Sequence, residues 1–205
     1  MSNMPNFDIK KKLKAQYGAN DRKIDTINVV EMPFMMIDGI GNPTEDEFKL
    51  KSSVLKSFSK EIKEILKEKE ISYTLPPLEG LWDTYDNSHF DVTRKQLFDF
   101  TLMMSLPFDL DESVLDLCKQ RLIMKIDNPY IMDVYYKKLE EGRCVQILHK
   151  GAYHTEIETT KKIMEYITVE NMRLVGMHHE IYLNDPKKVA PDDLKTIVRY
   201  AIEDA

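Results

Sequence analysis

The 205-residue sequence predicts an α+β fold, and three observations carry that prediction. Short β-compatible apolar runs at 27–38, 98–106 and 178–183 are bounded by turn-forming residues. Between the first two, Phe48, Leu55, Phe58, Ile62, Ile65 and Leu66 recur at helical spacing among lysines and glutamates. The order of elements also repeats: each half has a strand, a Gly-containing turn, a helix and a strand bearing an acid and an aromatic residue.

Residues 1–26 read as a polar lead-in with helical character, with Lys10, Lys11, Lys12 and Lys14 as solvated surface. A single domain then spans 27–205, with repeats at about 27–108 and 130–186. Its first strand carries Pro33 at a bulge or edge and ends at Gly39, Gly41, Asn42 and Pro43. Thr44 and Glu47 have capping-box spacing for a helix reaching about Lys69. Pro76 and Pro77 break the chain before a short strand at 78–82 and a stronger one at 98–106. Asp109 and Glu112 open the next helix, with Val114, Leu117, Cys118 and Leu122 as its apolar stripe. Residues 134–139 and 143–149 flank Glu141-Gly142 as a β-hairpin, and Thr155 with Glu158 repeats the capping-box spacing. Pro191 opens a last helix over 191–203, whose apolar face is Leu194, Ile197, Val198, Ala201 and Ile202. In this alignment of the halves, Glu79 and Trp82 correspond to Glu180 and Tyr182.

A net charge of −6 and a pI near 5.5 argue against the basic stripe of a nucleic-acid-binding surface. Apolar runs such as 34–37 are too short to span a bilayer, and the charged start lacks a secretory apolar stretch, so a cytoplasmic location is expected. Cys118 and Cys144 suggest buried free thiols. His178 and His179 are adjacent, so on a strand they face opposite ways and do not converge on one ion; no metal and no cofactor are expected.

The segment 175–186 concentrates the chemistry. Strand alternation puts His178, Glu180 and Tyr182 on one face and His179, Ile181 and Leu183 on the other, which reads as one chemical and one apolar face. A carboxylate among aromatic rings can hold an organic cation or activate a water. The plain alternative is a strand-end carboxylate satisfied by a backbone amide or Lys187. Trp82 and the same-face set Phe98, Phe100 and Met104 are either cleft wall or ordinary core. Met35 and Met36 point oppositely, so only one of them can line a cavity, and His149 reads as a satisfied strand-end histidine.

The chain resembles the GyrI-like small-molecule-binding family. The resemblance rests on Phe7-Asp8-Ile9-Lys10-Lys11, the run 32–43, Glu79-Gly80-Leu81-Trp82, the run 145–153 and the run 178–186. It implies two pseudo-symmetric strand-helix-strand-strand modules whose curved antiparallel sheets surround a central pocket. Glu180 matches the family's pocket glutamate and Tyr153 its turn tyrosine, which are implicated together in members that hydrolyse the cyclopropane of DNA-alkylating natural products. The expected ligand-binding set is Glu180, Tyr153, Trp82, Tyr182, Phe100, Met104 and Met35, with Glu180 and Tyr153 as catalytic candidates. Asp83, Phe98 and Phe100 stand where relatives carry tryptophan, and Ala152 and His154 replace the proline and the acid flanking the turn tyrosine. The resemblance implies sequestration or sensing of a hydrophobic ligand, cationic or aromatic. The alternatives are a hydrolase of strained electrophiles and a gyrase-inhibitor-like module with a protein partner. No DNA-binding module is expected.

Overall fold

The computed structural model describes residues 6–84 and 98–205. Its centre is one antiparallel sheet, to which β2 (Asp25–Val29), β3 (Met32–Ile40), β5 (Leu78–Thr84) and β6 (Phe98–Ser105) come from the first half. The second half supplies β7 (Tyr135–Leu139), β8 (Gly142–Lys150), β10 (His178–Tyr182) and β11 (Lys195–Asp204). The strand order is β2-β8-β11-β10-β5-β6-β3-β7, with a short β9 (Met172–Leu174) pairing with β11. β5 and β10 therefore meet at the middle, and the two halves exchange their leading strands: β2 pairs with β8, and β7 with β3.

The long helix forms as expected, as α3 (Asp46–Glu68), and buries Val54, Leu55, Phe58 and Ile62 completely. Full burial of such a side chain is worth about 1.5–3 kcal/mol, so this face outweighs any single cap, worth about 0.5–2 kcal/mol. The expected capping box does not form. Glu45 holds the N-cap position without a side-chain bond, and the Thr44 hydroxyl instead donates to Asn42 Oδ1 at 3.0 Å. The second box fails in the same way: Thr155 Oγ1 donates back to the Ala152 carbonyl at 2.7 Å, before α5 (Glu156–Val169). Asp111, not Asp109, caps α4 (Glu112–Ile123) by accepting from the Ser113 amide, while Asp109 pairs with Lys138. The buried stripe of α4 is Leu115, Cys118 and Leu122, leaving Leu117 exposed.

Three other expectations are corrected. The last helix is absent; Pro191–Asp193 forms a single 3-10 turn and β11 is a ten-residue strand between β8 and β10. Residues 196–202 are all buried, so the strand shows no polar alternation, and its apolar residues fell at helical intervals by coincidence. The strands around Glu141-Gly142 diverge onto different partners and do not pair as a hairpin. The lead-in is structural: β1 (Asn6–Phe7) pairs in parallel with β4 (Ser72–Tyr73), and the short helices α1 (Ile9–Lys12) and α2 (Lys14–Tyr17) bury Ile9 and Tyr17. Its first five residues lie outside the described ones. Both cysteines are free and buried, and burial pushes each thiol up to about 12. Among the described residues, no helix is long and apolar enough to cross a membrane.

Candidate functional site

The site is built where β5 and β10 pair at the middle of the sheet. Glu180 lies opposite Gly80, His178 opposite Trp82, and Tyr182 opposite Leu78. Cross-strand partners share a face, so the counterpart of Glu180 on β5 is Gly80; Glu79, one position away, points to the other side. Gly80 is required here, since a Cβ would come within 2.8 Å of Trp82 Nε1 and 3.3 Å of the Tyr182 hydroxyl. Its missing side chain makes room for the Trp82 indole and the Tyr182 hydroxyl beside Glu180.

Around Glu180 four polar groups converge. Tyr182 donates its hydroxyl proton to Glu180 Oε2 at 2.5 Å. His178 Nε2 lies 3.1 Å from Glu180 Oε1 and 3.2 Å from Glu156 Oε1, while its Nδ1 meets the Tyr200 hydroxyl at 2.5 Å. Glu156 comes from the first turn of α5, is 3% exposed, and leaves Oε2 buried without a hydrogen-bond partner. The two carboxyls are driven apart. Burial and the Glu180 charge push Glu156 up to about 8. Burial also opposes the charge on Glu180, but the hydrogen bond and charge of His178, with help from Tyr182, hold it below the usual carboxylate range. Burial likewise opposes a charged His178, and Tyr200, Glu156 and Glu180 together outweigh it, so its pKa lies well above the ordinary imidazole value. At neutral pH the cluster thus holds an ionised Glu180, a protonated Glu156 and an imidazolium.

This cluster opens into a cavity of about 740 Å³, within the range of small-molecule sites. Trp82, Tyr153, Tyr182, Met104 and Phe98 line it, together with Glu180 and Glu156. Tyr153 follows Gly151, whose φ of +129° turns the chain, and its ring meets Tyr182 edge-on at 5.9 Å. Burial and the Glu180 and Glu156 charges push Tyr153 up to about 12, so it remains a phenol able to donate a hydrogen bond. Trp82 is 3% exposed and its indole N–H is buried without a partner.

Two of the expected lining residues do not reach the cavity. Phe100 packs its ring edge against Gly39, where a Cβ would sit 2.3 Å from it, and meets Phe48 edge to face; Met35 is fully buried with the α3 residues. Phe48, on α3, is a wall that the sequence reading missed; it stacks on Trp82 with ring centroids 5.7 Å apart. Leu75, Pro76, Pro77 and Leu78 form another, so the proline pair that broke the chain also shapes the cavity. Asp83 is exposed on the opposite side of β5 from Trp82, so its departure from tryptophan removes no wall of this cavity. His149 is satisfied by Thr159 and the Ala152 carbonyl, as expected of a structural histidine.

Among the described residues, Glu156, His178 and Glu180 offer donor atoms within 4.8 Å of one another, a spacing that could hold a metal ion. The expectation that the adjacent histidines face apart holds, but it overlooked that His178 alone joins two carboxylates. In the protonation state above, the Nε2 proton occupies the position an ion would take. The arrangement is thereby suited to binding a cation or a hydrogen-bond donor at Glu180, or to orienting a water between an ionised carboxylate and a phenol.

The other face of β10 is not simply apolar. His179 Nδ1 lies 2.9 Å from Glu141 Oε1 and its Nε2 3.1 Å from Glu79 Oε2. Tyr17 donates to Glu79 Oε1 at 2.8 Å, and Arg199 donates to Glu141 Oε2 at 2.9 Å, to Gln146 and to the Gln16 carbonyl. The N-terminal helices thus seal a closed polar network.

Comparison with known proteins places this architecture. A conserved, uncharacterized protein from Listeria innocua is 30% identical with a TM-score of 0.86, covering 97% of this chain and 100% of its own. A hydrolase from Listeria innocua is 28% identical with a TM-score of 0.84, over 98% of this chain and 100% of its own. A further Listeria innocua hydrolase is 27% identical with a TM-score of 0.81, over 97% and 100%. The search of curated proteins gave no match. The model of the GyrI-like small molecule binding domain matches residues 23–202, and with that span covered the chain belongs to the GyrI-like family of small-molecule-binding domains.

Proposed function

We propose that the chain binds a hydrophobic, aromatic ligand with a cationic or hydrogen-bond-donating head, and that it does so to sequester or sense it. The observation that carries this reading is the Glu180 side chain, 16% exposed, which is held by His178 and Tyr182 and opens into an aromatic-walled cavity. Trp82 and Tyr182 supply π surface for the body of the ligand and Tyr153 a spare hydroxyl. The test is calorimetry with cationic aromatic dyes on the wild type and Glu180→Gln. A loss of about tenfold in affinity, roughly 1.4 kcal/mol, is expected; unchanged affinity rejects the electrostatic role.

A second reading, hydrolysis of a strained electrophile, is favoured by the divided carboxyl pKa values and by the likeness to the Listeria innocua hydrolases. Glu180 would take a proton from water while Tyr153 donates to the oxygen on which charge develops. Incubation with excess cyclopropane-bearing alkylator decides it: many ring-opened products per protein molecule, seen by mass spectrometry, support turnover. A single equivalent supports sequestration.

A further inference from the structure

The cavity has carboxyl groups at its depth and ammonium groups towards solvent. Lys10, Lys56, Lys60 and Lys188 all line it and all are exposed, with Asp185 as the acid among them, whereas Glu156 and Glu180 are its deeper acids. Lys56 and Lys60 stand one turn apart on α3, an unfavourable like-charge spacing. Elsewhere on that helix Lys49 pairs with Asp46 and Lys51 with Glu47, while Lys63 and Lys67, like the two cavity lysines, have no carboxylate partner among the described residues. Among the described residues, Lys10, Lys56 and Lys60 have no carboxylate within 4 Å, and Lys188 has only Asp185 at 3.9 Å. The Lys56 pKa is lowered by its partial burial and by the neighbouring Lys187, Lys60 and Lys188 charges, against the pull of Asp185. A converging set of cations around a cavity mouth raises the local concentration of anions and repels a bare cation.

We infer that the ligand carries an acidic group, a carboxylate, sulfonate or phosphate, at its solvent-facing end. The occupant is then an aromatic compound with a cationic or hydrogen-bond-donating head at Glu180 and an acid at its outer end. This rests on the reading of the cavity as the binding site and adds the charge that its mouth selects. An aromatic body lies along Trp82, Phe98 and Tyr182, and its acid reaches back to Lys56 and Lys60.

Two probes with nearly the same rings separate the ideas: anilinonaphthalene sulfonate, which is anionic, and N-phenylnaphthylamine, which is neutral. Binding of each is followed by quenching of Trp82, the chain's single tryptophan, which lines the cavity. In the wild type at low salt, the sulfonate is expected to bind about tenfold more tightly than the neutral probe. In the Lys56→Gln, Lys60→Gln double variant, and in about 1 M sodium chloride where the Debye length is about 3 Å, the gap should close while the neutral probe is unchanged. Equal affinities in the wild type, or a gap that survives both treatments, overturn the inference and leave the cavity reading standing. If neither probe quenches Trp82, the cavity reading itself fails, and this inference with it.

Discussion

His178 and His179 are neighbours in the chain, and each lies between two carboxyl groups, yet only one of them belongs to a candidate site. On the sealed face, both oxygens of Glu79 and of Glu141 are satisfied, by Tyr17, His179 and Arg199. On the open face, Glu156 keeps an oxygen without a partner, Trp82 keeps an indole N–H, and about 740 Å³ of space lies in front of them. The difference teaches that a buried histidine-carboxylate cluster does not make a site by itself. Unmet hydrogen-bonding capacity beside a cavity is what marks a candidate.

The largest effect should come from breaking the sealed face. Arg199→Met leaves Glu141 buried with one oxygen unanswered, and a cost of about 3–5 kcal/mol in urea unfolding is expected. Because the network lies on the far side of β10, affinity of the folded variant for an aromatic probe should stay within about twofold. A large affinity loss in folded protein would show that the faces are coupled.

A middle-sized effect is expected at the junction of β5 and β10. Gly80→Ala puts a methyl group 2.8 Å from Trp82 Nε1, and overpacking of this kind costs about 1–3 kcal/mol. Unlike Arg199→Met, it should also weaken probe binding, because Trp82 has to shift in the cavity wall. Retention of full affinity would mean that the indole is not part of the binding surface.

The subtlest effect is a change in the shape of the pH profile. Folding raises Glu156 from 4.5 to about 8, so the folded protein keeps a proton that the unfolded chain has lost, and stability declines as pH rises through that interval. His178, raised as well, adds to the loss at its own higher pH. Glu141 behaves oppositely. His179 and Arg199 overcome its burial and lower it from 4.5 to about 2, so its contribution is present above 4.5 and lost as pH falls towards 2. Glu156→Gln should flatten the decline between about 4.5 and 8 and leave the acid limb in place, as read from denaturation midpoints across pH. An unchanged slope over that interval would mean that Glu156 is ionised in the folded protein.

The sequence revealed most where burial is one-sided. The α3 face was readable because one side of that helix meets the core and the other meets solvent, and the alternation at 178–182 because Glu180 and Tyr182 face a cavity while Ile181 faces packed interior. β11 was misread because it is buried on both sides, which erases the two-residue period. Glu180 and Tyr182 could be placed together from spacing alone, but Glu156 comes from another element, 24 positions earlier, and no local pattern links it to them. Phe48 was counted as ordinary helix core because stacking on Trp82 is a tertiary fact. The one-residue misalignment of Glu79 with Glu180 moved a side chain across the sheet.

The exchange of leading strands has a consequence for how the chain reaches this state. Ile27 pairs with Cys144 and Met36 with Tyr135, so the ladders joining the halves link positions about a hundred residues apart. Loop closure on that scale must precede the reward from pairing, which slows collapse to the native topology and leaves neither half with a complete sheet of its own. Assembly is therefore expected to be slow and all-or-none, with the hollow between the halves appearing only in the final step.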